Sequence, residues 1–331
     1  MGGQALKIAK TRRYSASEYE TIKFMVSSIL MEPYLFSFYF PLSYRKKESH
    51  GDLDVLIHSG HLNKLNIDLR EYIQERFSPT EIVKNGSVYS FDYKEFQIDF
   101  IVVKTKDWET SKIYYSYNDL GNLMGRIAYN MGLRYGHFGL AYKHLHKGRT
   151  TGLIEISRDP QKIFHFLGFY FSEYQKGFDT LEDIFDYVIG SYHFNKKIFA
   201  YESLNHQNRT RNKKRKTYQQ FLEYLDTVDF DGDEFNNDKK AYISMAERYF
   251  GIELFSQIEE FEKKIKLKEE LSKKFNGNIL MQKFPQLKGK TLGNAISNFR
   301  KEIELIEDFD DYLYKNDQEI IINNFKKINN L

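Results

Sequence analysis

A mixed α+β sheet with flanking helices, followed by a mostly helical carboxy-terminal region, is the fold class that this 331-residue sequence predicts. Three observations carry it. Residues 52–57 alternate strictly and 96–103 form an apolar run broken by one aspartate, so both read as strands. Between them EIVKNGSVYSF (81–91) is a hairpin signal, with Asn85-Gly86 suited to a type I′ turn. From Asn118 onward the apolar residues recur at helical spacing.

The elements follow in order. Residues 17–31 place Tyr19, Ile22, Met25, Val26 and Leu30 on one helical stripe. LFSFYFPLS (35–43) reads as an aromatic strand stopped near Pro41, and the polar YRKKESHG (44–51) as a turn. A helix over 62–77 ends before Pro79, because the residue preceding a proline is pushed out of the helical region. The first 105 residues thus read helix, strand, strand, helix and a three-strand run. IAYNMGLRYGHFG (127–139) ends a helix at a glycine, and 161–167, 181–189, 216–225, 240–250, 252–274 and 292–309 carry helical spacing. Two regions are expected, 1–155 and 156–331, with a weaker boundary at the acidic stretch DFDGDEFNND (229–238). There is no internal repeat.

Composition narrows the class. Apolar residues make up 41% and charged residues 29%, with a mean hydropathy of -0.60, so the chain is globular. No apolar run approaches the roughly 20 residues that span a bilayer, and a membrane protein is excluded. The start, MGGQALKIAKTRR, lacks the apolar core of a secretory signal. Cysteine is absent, which removes disulfides, thiolate zinc sites and cysteine nucleophiles and fits a cytoplasmic protein. The net charge is 49 − 46 = +3, so the distribution of charge says more than its sum.

The strongest chemical signal is Ser43-Tyr44-Arg45 followed by Ser49-His50-Gly51-Asp52-Leu53-Asp54. Alternate side chains of a strand share a face, so Asp52 and Asp54 point together while Leu53, Val55 and Ile57 enter a core. Two adjacent carboxylates repel, and a bound Mg²⁺ or Mn²⁺ resolves that cost because hard cations take oxygen ligands. Asp99 interrupts the second strand and meets the pair across the sheet. Three carboxylates fit a site for two ions about 3.5–4 Å apart. Elsewhere, DFDGDEFNNDKK fails as a calcium loop because Glu234 replaces the required glycine. Gly289-Lys290-Thr291 fails as a phosphate loop, since Phe284 stands where its first glycine belongs. His137, His144 and His146 lack acidic neighbours at ligand spacing and read as structural.

This ordered series resembles the polymerase-beta-like nucleotidyltransferase superfamily, and within it the catalytic region of family X DNA polymerases. That family runs glycine-serine, a basic turn, Gly-Asp-x-Asp on a strand, and a third Asp on a later strand. Here Leu42 replaces the glycine and the turn is about one residue shorter. The resemblance continues through YYSYNDLGNLMGRIAYNMGLRYGHFGL (114–140) and DPQKIFHFLGFYF (159–171), covering roughly residues 35–170. It implies a palm-like sheet in which Asp52, Asp54 and Asp99 hold two divalent cations. Ser43 and Arg45 grip the β- and γ-phosphates, and Gly51 belongs to the same nucleotide-binding set. Tyr115 packs on the sugar, and Asp119, Asn122 and Arg126 face the base or its pair. Tyr117 stands where the family turn has glycine, which bears on sugar selection. The tail KFNG…LKGKTLGNAISNFR is similar to segments of CCA-adding tRNA nucleotidyltransferases.

NRTRNKKRK (208–216) has six basic residues in nine and no acid. Arg209, Arg211, Lys213, Lys214, Arg215 and Lys216 are the expected nucleic-acid-binding residues, since such a run neutralises phosphates and releases counterions. The expected reaction is transfer of NMP from a nucleoside triphosphate to a nucleic-acid 3′ end, with release of pyrophosphate. An RNA acceptor such as tRNA is favoured over DNA. Only about 40 residues precede the sheet, too few for the gap-binding domain of repair polymerases. The alternatives are a family X-type DNA polymerase or terminal transferase using dNTPs, and a catalytically idle nucleic-acid-binding module.

Overall fold

The computed structural model describes residues 5–32, 37–228 and 238–331. The acidic stretch, except Asp238, and the first residues of the expected aromatic strand lie outside them. The chain divides into two compact units, Met1–Leu254 and Phe255–Leu331.

The first helix, Ala16–Met31, begins at a capping box. The Ser15 hydroxyl accepts from the Glu18 N–H, and the Glu18 carboxylate accepts from the Ser15 N–H at 2.8 Å. Its apolar stripe, Tyr19, Ile22, Val26 and Leu30, is buried as the spacing predicts. Met25, expected on that stripe, is instead exposed. The next predicted helix is two helices, Ser59–Lys64 and Leu69–Phe77. Asp68 breaks it, because its carboxylate accepts from the N–H groups of Arg70 and Glu71 and starts a new helix.

Among the described residues ten strands form three sheets. They are β1 Tyr14–Ser15, β2 Phe38–Tyr39, β3 Ser49–His50, β4 Asp52–His58, β5 Ile82–Asn85, β6 Val88–Tyr93, β7 Phe96–Val103, β8 Leu133–Gly136, β9 Gly139–His146 and β10 Arg149–Ser157. The central sheet has the order β2-β4-β7-β6-β5. In it β4 and β7 run parallel, and the other pairs are antiparallel. The β5–β6 turn differs from expectation. Asn85 pairs with Val88, and Gly86 alone has a positive φ, as a type II′ turn requires at its first central residue. Positive φ at two successive central residues occurs instead at Lys94 and Glu95, between β6 and β7.

One face of this sheet is buried in a hydrophobic core. Leu53, Val55, Ile57, Phe91, Ile98 and Phe100 pack against Ile22, Val26 and Leu30 of the first helix and against Tyr72, Ile73 and Phe77. The opposite face carries the aspartates and a smaller cluster of Leu56, Ile101 and Val103, bordered by Trp108 and Tyr115.

Past Asn118 the helix Leu120–Asn130 is followed not by more helix but by the antiparallel sheet β8-β9-β10. The expected boundary at 155/156 falls inside β10. Glycine permits the tight β8–β9 connection: at Gly139, φ is 92°, and a Cβ would lie 2.4 Å from the Ser157 carbonyl oxygen. His144 is buried with its Nδ1 2.6 Å from the Thr151 hydroxyl, a structural role. Helices Pro160–Phe166, Leu181–Ile189, Lys216–Thr227 and Lys239–Phe250 stand close to their predicted spans.

The second unit is helical, with Leu271, Phe275, Phe299, Phe309 and Phe325 in its core. Its predicted helix over 292–309 is Lys290–Glu304 and Phe309–Lys315, again divided by an aspartate cap, Asp308. Among the described residues no helix is long and apolar enough to cross a membrane.

Phe100 is fully buried beside Asp99 and meets Phe77 and Phe91 edge to face, at 5.6 and 5.0 Å. Phe100→Ala is therefore expected to cost about 3–5 kcal/mol of stability, read from urea unfolding of unit 1.

Candidate active site

The parallel pairing of β4 and β7 sets the geometry. Asp54 and Asp99 are register partners, and Asp52 lies opposite Gln97. Asp52 and Asp54 share a face by strand alternation, and Asp99 joins them from the neighbouring strand. One carboxylate oxygen from each lies within 4.8 Å of the others. All three side chains are half-buried.

Burial comes first in the electrostatics of the cluster. It raises Asp54 well above the ordinary carboxylate range, Asp52 and Asp99 raise it further, and Lys47 acts in the opposite sense. Asp99 is pushed up to about 6 by burial and then by Asp52, against hydrogen bonds from Ser90 and Gln97. The Gln97 amide donates to both Asp99 oxygens, at 2.9 and 3.1 Å. A cluster of hard oxygen donors that repel one another fits a divalent cation, and Asp52, Asp54 and Asp99 would hold it.

Several of these neighbours were not singled out from the sequence. Gln97 had a readable signal, since it stands two residues before Asp99 and so shares its face. Ser90 becomes visible only once β6 is registered against β7. His50, directly before Gly51, is buried and stacks on Tyr19 with ring centroids 3.6 Å apart. Burial, with Lys47 and Arg13 nearby, lowers His50 to about 4, so its imidazole is neutral at pH 7. Lys47, in the basic turn, is half-buried; its ammonium donates to the Asn118 side-chain oxygen at 3.1 Å.

The other expected site residues separate into groups. Ser43 is half-buried in the loop before β3, and Gly51 joins β3 to β4. Arg45 is more than half exposed, and its guanidinium binds the Asp179 carboxylate and the Lys176 carbonyl. Tyr115 lies near-parallel to His137 at 6.1 Å. Burial lifts its phenol to about 12, with further effects from Tyr114, Asp54 and Arg211. Asp119 forms an ion pair with Arg215, joining two residues expected to serve different ligands. Arg126 turns inward, 4% exposed, and donates to the Ile198 carbonyl at 3.2 and 2.6 Å. Asn122, one turn earlier on the same helix, is half-buried.

Tyr117 adopts φ 60° and Asn118 φ 59°, a conformation that is costly for a bulky side chain. The Tyr117 ring is buried edge-on against Tyr174 and Phe178, which holds it there. The basic segment is helical over His206–Asn212 and then turns. Arg209 donates to the Tyr201 and Leu204 carbonyls, whereas Arg211, Lys213, Lys214 and Lys216 are exposed.

No protein-family model and no curated protein sequence matches the chain. Among solved structures, a polymerase beta of Leishmania infantum in a ternary gap complex is similar over 41% of this chain, at 16% sequence identity and a TM-score of 0.33. The chain spans about half the length of that protein, 53%.

The raised acidities give a pH prediction with a definite sign. A carboxyl that titrates near 6 in the folded chain, against 3.8 ordinarily, binds its proton more tightly when folded. Without cations, this group's contribution to stability therefore falls as pH rises from about 4 to about 6, then levels off. Asp99→Asn should flatten that part of the melting-temperature profile. Mn²⁺ should raise the melting temperature at about pH 8 and much less at about pH 5, where protons compete for the same oxygens.

Proposed function

We propose that the chain is a metal-dependent nucleotidyltransferase, moving NMP from a nucleoside triphosphate to a nucleic-acid 3′ end, RNA such as tRNA. The observation that carries this reading is the convergence of Asp52, Asp54 and Asp99 from two parallel strands, with oxygens within 4.8 Å of one another. The series of motifs from Ser43 to Phe171 supports the same chemistry.

Two Mg²⁺ or Mn²⁺ ions, when bound, supply Lewis acidity that activates the acceptor hydroxyl and neutralises charge on the phosphates. The protein's part is to place the groups. Gln97 and Ser90 orient Asp99 by hydrogen bonds. Ser43 and Gly51 line the approach to the triphosphate, and Tyr115 offers a ring beside Asp54 for the sugar. The exposed cations Arg211, Lys213, Lys214 and Lys216 grip the acceptor backbone, with Arg211 near Tyr115. In this division of labour Arg209 and Arg215 hold the segment in place, through the Tyr201 carbonyl and Asp119.

The choice of a free RNA end rests on two observations. Asp119 and Arg126, which the family X likeness sets against a nucleotide and its template partner, are here bonded to protein groups. The tail, in addition, is similar to tRNA-handling enzymes. The test is incubation with labelled NTPs and dNTPs on tRNA, single-stranded DNA and gapped DNA. Extension of tRNA with NTPs, dependent on Mg²⁺ or Mn²⁺ and reduced to background by Asp54→Ala, is the expected result. Faster filling of the gap would make the protein a family X-type DNA polymerase, and undiminished transfer in excess EDTA would remove the metal reading.

A second prediction concerns the acceptor. Replacing Arg211, Lys213, Lys214 and Lys216 together by Ala should weaken single-strand binding. The slope of log affinity against log salt should fall by about 3, at about 0.7 for each phosphate no longer neutralised. An unchanged slope would show that the segment is only a solvated surface.

A further inference from the structure

The helix Pro160–Phe166 and the segment after it border a groove that has no part in the reading above. Its volume is about 540 Å³, within the roughly 300–1,000 Å³ of small-molecule sites. Gln161, Lys162, His165, Tyr170, Gln175 and Tyr249 line it. None of them belongs to the aspartate cluster or to the basic segment.

Its tyrosines are of two kinds. Tyr249 is held: its hydroxyl lies 2.9 Å from His165 Nδ1, and the two rings are near-parallel with centroids 5.6 Å apart. Tyr170 is free. Its ring is 72% exposed and meets no other aromatic ring among the described residues. Its backbone is fixed, because the Tyr187 hydroxyl donates to the Tyr170 carbonyl at 3.0 Å. The polar groups are unengaged as well. Among the described residues the side chains of Gln161, Lys162 and Gln175 make no hydrogen bond or ion pair. Asp159, the acid of the lining, is occupied at the helix start, where its carboxylate accepts from the Lys162 N–H at 3.2 Å.

These groups fit one class of ligand. A planar heteroaromatic ring stacks on an exposed tyrosine. A glutamine amide offers a donor and an acceptor side by side, as base edges do. A lysine ammonium takes a phosphate. Together they match an unpaired nucleotide. A second exposed ring points to a strand rather than a free nucleotide. Tyr192, 88% exposed, donates its N–H to the carbonyl of Gly168, two residues before Tyr170, at 3.1 Å. Two exposed tyrosines on segments bonded to each other suit successive bases of one strand. The groove is also tied to the nucleotide loop. Gln175 stands on the helix Phe171–Lys176, from which the Tyr174 ring meets Tyr117 and the Lys176 carbonyl accepts from Arg45.

We propose that this groove is an acceptor subsite. Tyr170 stacks on an unpaired base of the RNA strand, Gln161 and Gln175 bond its edge, and Lys162 holds its phosphate. The inference rests on the nucleic-acid acceptor of the reading above, and adds contacts to bases to the backbone grip of the basic segment.

The test is fluorescence anisotropy with the whole chain, using a labelled single-stranded oligoadenylate RNA and an abasic ribose-phosphate strand of the same length. Tyr170→Ala should weaken RNA binding about tenfold, the loss of one base stack, and leave binding of the abasic strand unchanged. Tyr170→Phe keeps the ring and should bind RNA as wild type does. Lys162→Met should weaken binding of both strands and lower the salt slope by about 0.7. Equal RNA affinity in wild type and Tyr170→Ala, or equal losses on the two strands, would overturn the subsite. Transfer of NMP to RNA by wild type would in that case leave the proposed function standing. AMP binding as tight as that of the RNA, and lost in Tyr170→Ala, would overturn the strand assignment and make the occupant a free nucleotide. Wild type that binds neither strand and extends no RNA would overturn both the subsite and the acceptor reading.

Discussion

The interaction on which unit 1 depends is an unfavourable one: three carboxylates held within a few ångströms of one another. Nothing local in the sequence compels such an arrangement. It exists because β4 and β7 are parallel and adjacent, which brings Asp54 level with Asp99. A parallel pair cannot be closed by a tight turn. The connection instead runs through two helices and the β5–β6 hairpin before the chain returns as β7. Those intervening elements also cover the sheet, since Tyr72, Ile73, Phe77 and Phe91 are in the core on its other face. The repulsion on one face is thus balanced by apolar burial on the other, and Phe100 next to Asp99 belongs to that burial. Asp99 and its neighbour face opposite sides of one strand, so core and site share a backbone.

The same economy of placement governs the groups around the aspartates. Polar partners stand where strand alternation or register brings them: Gln97 two residues before Asp99, and Ser90 across from it. The aromatic excess serves mainly as packing. Tyr19 stacks on His50 beneath the site, and Tyr117 lies against Tyr174 and Phe178. The Tyr117 ring also has a backbone consequence, because its burial stabilises a left-handed turn that glycine would adopt without strain.

What the sequence made legible was local. The period-two alternation of 52–57 placed both aspartates and the core residues between them, and the first helix was readable from its stripe. The breaks at Asp68 and Asp308 were not read, because a cap competes with helix continuation through a hydrogen bond that the apolar period does not register. The sheet β8-β9-β10 was missed for another reason. Its glycines and short apolar stretches look like a helix end until Gly136 is seen to pair with Gly139. The contacts that residue spacing does not reveal are long-range. Arg45 meets Asp179, Arg126 meets Ile198 and Asp119 meets Arg215, partners separated by 72 to 134 residues. Residue type and spacing identified groups suited to a site, but not which of them the fold would engage.

That distinction explains why the basic segment matters more as structure than its charge count implies. Of its six cations, Arg209 and Arg215 point back into the protein, one to backbone carbonyls and one to Asp119. Asp119 stands at the start of the helix Leu120–Asn130, on which Arg126 binds the Ile198 carbonyl. Arg215 therefore ties one end of the segment directly to that helix, and Arg209 ties the other to the stretch 198–204 that Arg126 also holds. The same helix leads directly from the turn at Ser116–Asn118 that holds Lys47. A continuous path runs from Arg215 through its ion pair with Asp119 to the neighbouring Asn118, whose side chain holds Lys47. Moving Arg215 away from Asp119 would release the carboxylate at the start of the helix that follows the Lys47 anchor.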